Sequence, residues 1–423
     1  WGGTTNCATC HDSSNALPGK HAQHYGTTTT ATSAAAANNS SGTTYLFNCG
    51  VCHNGVPHAT GPVGANQTAN ITFDATYAGG GTYAAGGANQ GPDANGYNWT
   101  AGSCSSLYCH SQGTAATGPY SAPNTAPTWT ITLDCAGCHG AGTTQAALLT
   151  SNAHSAHIND GVKNKAGRSF GCAECHNATA STDTSIGNTA NHVNKLLNVK
   201  FNDSSINKNT DNPTYNSATT TVTNGATKTP GTAGYTCSNV YCHSIGNLDY
   251  TTKAVVTAGS ASFRTPAWNG AALNCDACHG GTGKAYPIYA NGGAGTTTAN
   301  SHVKHIESAN YTCAYCHNTT TLSTTITAGT MTVIPGGAHL NRTEDVSFAT
   351  IGTTTGSYNG ASKTCSTTYC HGTGASPAWG GTTNCATCHT ANNTLPGKHA
   401  QHYGTATLAT SFGAANNSSG TTY

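Results

Sequence analysis

The chain has 423 residues, a formal net charge of +1, 7% charged residues, 52 glycines and 20 cysteines. Leu, Ile, Val and Phe together supply only about a tenth of it, well under the level of roughly a fifth that an ordinary apolar core needs. The near-neutral balance argues against a nucleic-acid partner, which requires a basic face, and no run approaches the ~18 consecutive apolar residues of a transmembrane segment. Disordered chains usually couple low hydrophobicity to high net charge, which is missing here. Something other than aliphatic side chains must therefore fill the interior.

The cysteines identify it. All 20 fall into ten clusters in which a histidine follows the second cysteine. Seven have two intervening residues. In chain order they are Cys7 and Cys10 with His11, Cys49 and Cys52 with His53, Cys135 and Cys138 with His139, Cys172 and Cys175 with His176, Cys275 and Cys278 with His279, Cys313 and Cys316 with His317, and Cys385 and Cys388 with His389. Three have four intervening residues: Cys104 and Cys109 with His110, Cys237 and Cys242 with His243, and Cys365 and Cys370 with His371. In such a motif the two thiols add across the vinyl groups of haem to form thioethers, and the histidine becomes the proximal iron ligand. A disulfide framework would not require a histidine after every second cysteine. Zinc would require half-sites that converge in pairs. Ten haems are the expectation, and with them a fold that is mostly irregular coil with short helices and few short strands, cored by haem. The same composition predicts a protein that does not fold without haem.

Self-similarity appears at two scales. Residues 1–45 recur as 379–423 with 37 of 45 positions identical. Within the longer repeat, a finer unit opens with a tryptophan (Trp1, Trp129, Trp268, Trp379) shortly before a Cys-x-x-Cys-His, and the last three follow Pro127, Pro266 and Pro377 as Pro-x-Trp. Next come a His-x-x-His pair, a second Cys-x-x-Cys-His followed by Asn (Asn54, Asn177, Asn318), a lone histidine and the wide-spaced motif. This order divides the chain into three-haem units over 1–128, 129–267 and 268–378, with 379–423 the start of a further one. The lone histidine heads His192-Val-Asn-Lys195 to Phe201 in the second unit and His339-Leu-Asn-Arg342 to Phe348 in the third; the first keeps the end, Ile71-Thr-Phe73. Helical turns are expected on the haem motifs and histidine pairs, and short strands at the Val-x-Phe ends.

The histidines give a ledger. Of 21, ten are proximal and 11 remain: the pairs His21 and His24, His154 and His157, His302 and His305, and His399 and His402, and the singles His58, His192 and His339. Each complete unit thus offers three distal histidines for three haems, and one is surplus overall, as expected if it serves a haem in a neighbouring copy or segment. Met331 is the sole methionine, so His/Met ligation cannot be general and bis-histidine iron is expected. Residues i and i+3 share a helix face, so a pair can reach two different irons; one member is expected to serve the opening haem of its own unit and the other an adjacent haem. Tyr108, Tyr241 and Tyr369 before the second cysteines read as packing residues, and the unit-opening tryptophans as packing against haem edges. Lys20 and Lys398 read as solvated, with haem propionates as the alternative partner.

The alternation of Cys-x4-Cys-His with Cys-x-x-Cys-His resembles the repeat family of large multihaem cytochromes c from metal-reducing bacteria, and the likeness runs over essentially the whole chain. It is similar in kind to extracellular cytochrome filaments, or nanowires. The resemblance implies an exported, extracellular or cell-surface electron carrier, elongated, without a catalytic site, whose partners are copies of itself, redox proteins and extracellular acceptors. Any signal peptide is expected to lie outside the segment that begins at Trp1. The alternatives are a multihaem reductase of the nitrite or hydroxylamine type, which needs an open iron position, and a periplasmic electron store or shuttle.

Overall fold

Gly, Thr, Asn and Ser dominate the chain, and all four favour turns over long hydrogen-bonded ladders; regular elements are accordingly few and short. The computed structural model describes residues 20–26, 35–55, 71–84, 92–93, 96–97, 102–113, 118, 120, 127–129, 132–133, 135–139, 153–158, 167–203, 211–215, 218–219, 226–228, 235–249, 251–252, 255, 263–271, 273–281, 283–328, 330–371 and 376–383. Two of the ten attachment motifs, Cys7, Cys10 and His11 at one end and Cys385, Cys388 and His389 at the other, lie outside the described residues. So do the distal candidates His58, His399 and His402, and Lys398. Among the described residues no helix is long and apolar enough to cross a membrane.

By spatial contact the chain forms two compact units, a division distinct from the recurrence in sequence. The first comprises Trp1–Asn159, Ser169–Cys237 and Ala267–Gly270, and the second Asp160–Arg168, Ser238–Pro266 and Ala271–Tyr423. In the first, Thr82–Ala84 pairs antiparallel with Ser103–Ser105, placing Tyr83 opposite Cys104. Two further ladders join Leu197–Val199 to Ala226–Lys228 and Thr214–Tyr215 to Ala218–Thr219. In the second unit Ser357–Asn359 pairs with Thr364–Ser366 and sets Tyr358 opposite Cys365. A tyrosine thus faces the first cysteine of a wide motif in both.

Among the described residues, two small apolar clusters are built around haem-motif cysteines. In the first unit Val51, Phe73, Ala78, Cys104 and Leu107 are buried together, with Cys52 packed against them. In the second, Ala285, Ala328 and Met331 are buried against Cys275 and Cys313. Met331 is therefore a packing residue in this cluster. At about 25 cal/mol per Å² of apolar area, clusters of this size contribute little beside the conformational entropy of so long a chain.

Candidate haem-binding sites

Each described Cys-x-x-Cys-His is one helical turn. It is a short α-helix at Ala136–His139 and Cys172–Cys175, and a 3₁₀ turn at Cys49–Val51, Cys275–Ala277 and Cys313–Tyr315. The second cysteine rides on the same turn. Cys52, Cys138, Cys278 and Cys316 each donate a backbone N–H to the carbonyl of the first cysteine, at 3.1, 3.3, 3.3 and 3.2 Å. The histidine N–H donates to that carbonyl too, at 2.8 Å for His53 and 2.9 Å for His139, His176, His279 and His317. This closure puts both thiols and the imidazole on one compact turn.

The wide motifs solve the same problem differently. An extended stretch carries the first cysteine (Ser103–Ser105, Cys237–Ser238, Thr364–Ser366), and a 3₁₀ turn carries the tyrosine, second cysteine and histidine (Tyr108–His110, Tyr241–His243, Tyr369–His371). Between them a single residue turns left-handed: Ser106 at φ 54°, Asn239 at 55° and Thr367 at 50°. Left-handed backbone costs a non-glycine residue roughly 1–2 kcal/mol, so the two extra residues make a bend and not a longer helix. The second cysteines differ in exposure. Cys109 and Cys242 are half-buried, whereas Cys370 is exposed and donates its thiol proton to the Tyr311 hydroxyl at 3.0 Å. A thioether at Cys370 has no proton to give, so haem attachment would replace that bond.

After two of these motifs a Ser-x-Gly turn follows, with Gly113 at φ 71° and Gly246 at 78°. Its serine Oγ accepts from the glycine N–H at 3.1 Å in both. Gly246 lies against His279, where a Cβ would meet the ring at 3.2 Å.

The Val-x-Phe ends form strand only at Leu197–Val199. In all three units, however, the residue before the phenylalanine makes a parallel bridge to the second-motif histidine: His53 with Thr72, His176 with Lys200 and His317 with Ser347. The following Asn donates its backbone N–H to that residue's carbonyl, at 2.8 Å for Asn54, 3.0 Å for Asn177 and 3.1 Å for Asn318. In the second and third units the same segment also accepts from the proximal imidazole. His176 Nδ1 donates to the Asn198 carbonyl at 2.8 Å and His317 Nδ1 to that of Asp345 at 2.6 Å. His279 Nδ1 likewise donates to Ile245 at 3.2 Å.

The distal candidates are held the same way. His24, His157 and His305 each donate Nδ1–H to the carbonyl four residues back, at 2.8, 2.8 and 2.9 Å. His302 Nδ1 bonds Asn300 Oδ1 at 2.9 Å, and His192 Nδ1 bonds the Tyr45 hydroxyl at 2.6 Å. An imidazole whose Nδ1 donates, as in His24, His157 and His305, presents the lone pair of Nε2, the arrangement that metal-ligating histidines use.

These rings face the proximal ones in pairs, and the pairs repeat by class. At the opening motifs, His139 and His192 have centroids 6.0 Å apart and planes at 54°; His279 and His339 give 6.0 Å and 51°. At the second motifs, His154 and His176 give 6.5 Å and 22°, and His302 and His317 6.5 Å and 16°. At the wide motifs, His24 and His110 give 6.1 Å and 67°, and His305 and His371 6.0 Å and 67°. The lone histidine thus faces the opening motif, and the two members of a pair face the second and wide motifs. In the described pairs the ring beside the opening-motif histidine is that of the lone histidine, where a member of the pair was expected.

The spacing fits one iron between each pair. With metal–nitrogen bonds of about 2.0–2.1 Å and ring centres roughly 1.1 Å beyond each nitrogen, two imidazoles on one metal have centres ~6.3 Å apart. Burial holds several of these rings toward the neutral form that ligation requires. It pushes His110, His192 and His279 down to about 4 and His302 to about 3, with neighbouring histidines adding to the effect. Burial also pushes the Cys52, Cys109 and Cys316 thiols up to about 12 and that of Cys278 to about 11. Thiols that resist ionisation are poor thiolate ligands for a bare metal ion and poor dithiol redox centres. Among the described residues no two cysteines are joined in a disulfide, and no three His, Cys, Asp or Glu converge as a site for a bare metal ion.

Two classes of supporting residue take definite places. Tyr108 and Tyr241 are buried, and their hydroxyls accept the backbone N–H of Lys195 at 2.9 Å and Arg342 at 3.1 Å, each three residues after a lone histidine. Lys195 and Arg342 are left-handed, as are Val193 and Leu340 beside those histidines, so the tyrosine steadies a strained segment. Tyr369 is 68% exposed. Replacing Tyr241 with Phe leaves the Arg342 N–H unpaired and is expected to cost the holoprotein about 1–3 kcal/mol. Tyr369→Phe should cost almost nothing, and paired thermal unfolding curves check the contrast. Lys20 donates to Thr132 Oγ1 at 2.8 Å, while its carbonyl takes the His24 proton.

Residues 103–139 and 236–279 match the family described as the Geobacter CxxxxCH...CXXCH motif. Each match runs from a wide motif across Pro-x-Trp to the next opening motif, so the first takes in Cys104, Cys109, Cys135 and Cys138, and the second Cys237, Cys242, Cys275 and Cys278. No curated protein and no solved structure matches the chain. With covalent haem attachment written into this alternation of spacings, the match supports a multihaem c-type cytochrome of the CxxxxCH/CxxCH repeat type, with electron transfer as its general work.

Proposed function

We propose that the ten motifs hold ten haems, each iron between two histidines, and that the protein conducts electrons over long distances outside the cell, in a filament or a very long repeat protein. The observation that carries this reading is the recurrence of facing imidazole pairs at 6.0–6.5 Å in three classes. Haem bound between them supplies a reversible one-electron Fe(III)/Fe(II) couple, with bis-histidine ligation favouring low potentials.

The remaining distal histidines follow the same order along the repeat, and Cys7 with Cys10 and Cys385 with Cys388 attach haem as their described counterparts do. Every iron of a complete unit is then closed, so no position is left for a substrate and the protein is not an enzyme. Each His-x-x-His pair ties the second and wide haems of its unit to a single turn, which keeps them neighbours for electron hopping. Under this rule the motif at His389, and the pair His399 and His402, find their counterparts in a neighbouring copy or segment of the same protein.

Electron imaging of the secreted material tests the reading. Fibres with haems in an unbroken line are expected, and globular particles with dispersed haems would overturn it.

A further inference from the structure

The tryptophans that open the units do something their place in the sequence conceals. Each described Pro-x-Trp bridges back, antiparallel, to the chain entering the wide motif of the preceding unit: Thr128 pairs with Ser103, Ala267 with Thr236 and Ala378 with Thr364. The tryptophan N–H donates to the residue two before that motif's first cysteine, at 2.9 Å from Trp129 to Gly102, 2.7 Å from Trp268 to Tyr235 and 2.7 Å from Trp379 to Lys363. With its backbone fastened there, the indole lies against both imidazoles of the preceding His-x-x-His pair. Trp129 meets His21 edge-on at 5.0 Å and 76°, and stacks on His24 at 5.4 Å and 7°. Trp268 meets His154 at 4.9 Å and 85°, and His157 at 5.3 Å and 27°. Trp379 meets His302 at 4.9 Å and 78°, and His305 at 5.1 Å and 19°.

We infer that each boundary tryptophan is a positioning residue that sets the ring planes of two distal ligands at once, fixing near-parallel imidazoles at the second haem and crossed imidazoles at the wide haem. The inference rests on the ligand pairing proposed above. Edge contact holds the first ring nearly perpendicular to the indole, and stacking holds the second nearly parallel to it. One rigid side chain therefore imposes two planes. The proximal planes then yield 22° and 16° at the second motifs but 67° and 67° at the wide ones. A side chain supplied by the following unit thereby fixes iron geometry in the preceding one, so the joint between units carries the electronic character of the haems beside it.

The relative orientation of two axial imidazoles sets the splitting of the iron d orbitals, which electron paramagnetic resonance reads directly. Near-parallel planes give rhombic low-spin spectra, and crossed planes give spectra dominated by a large maximal g value. The test compares oxidised holoprotein with Trp379→Leu and Trp379→Phe at equal haem content. Leucine retains apolar bulk without a ring face, so it should shift two haem signals together, one of each class. Phenylalanine should shift the same two by less. Unchanged spectra in the leucine variant, or a shift confined to one haem, would overturn the inference. If the leucine variant fails to mature, the phenylalanine variant decides alone, since unaltered signals there equally overturn it. The unsubstituted protein separates the two levels of argument. High-spin iron throughout its units would sink the bis-histidine pairing itself, whereas low-spin iron untouched by the tryptophan substitutions would sink only the role assigned to tryptophan.

Discussion

Replacing His305 with alanine should raise carbon monoxide binding by the reduced protein by one equivalent per chain. His305 faces His371 at 6.0 Å, whereas no contact of its ring with the opening-motif His279 occurs among the described aromatic pairs. On the proposed pairing its removal would open the iron of the wide motif without touching attachment through Cys365 and Cys370, so haem content should not change. The oxidised spectrum should lose one large-g signal and gain a high-spin one. His302→Ala should open the second haem instead and remove a rhombic signal, because His302 faces His317 with planes only 16° apart. His339→Ala should open the third class, at the motif ending in His279. If His305→Ala bound no extra carbon monoxide, or cost a rhombic signal, the pairing would be wrong.

Chain produced without covalent haem attachment should fail to fold at all. Its aliphatic content is about half the usual minimum, and among the described residues the apolar clusters around Cys104 and around Cys275 and Cys313 consist of a few side chains each. Much of what is buried beside these clusters is polar: Tyr108, Tyr241 and the imidazoles of His176, His279 and His302. Without the cofactor nothing repays the cost of ordering, of order 1–2 kcal/mol per residue. Limited proteolysis of the haem-free chain should run at least about a hundredfold faster than that of the holoprotein, since cleavage follows the population of open chain. A protease-resistant apoprotein with native circular dichroism would contradict this.

Some of this architecture could be read directly from the residue order. A haem attachment site is local chemistry: two thiols and an imidazole within one turn, closed by a bond from His53 to Cys49 or from His317 to Cys313. Sequence therefore suffices to identify the motifs, and it also singles out the other histidines as candidate distal ligands, since Met331 is the sole methionine. The repeated Val-x-Phe end was legible as an element, although its work, bridging to His53, His176 and His317, was not. The four-residue spacing was equally plain, while the left-handed turn at Ser106, Asn239 and Thr367 that accommodates it left no glycine to announce it. Nor did spacing separate the half-buried Cys242 from the exposed Cys370, which hold the same place in two near-identical motifs.

What sequence alone determined was the count and kind of groups: which cysteines can attach haem, which histidines can ligate iron, and a composition that needs the cofactor for a core. Partnership was decided only by the tertiary fold. His305 meets His371, His339 meets His279, and Trp379 meets both His302 and His305 because bridges between distant segments bring them there. Attachment is set by bonds along a single turn, whereas ligand choice and ring orientation depend on how separate turns pack against one another, and spacing along the chain carries no record of that.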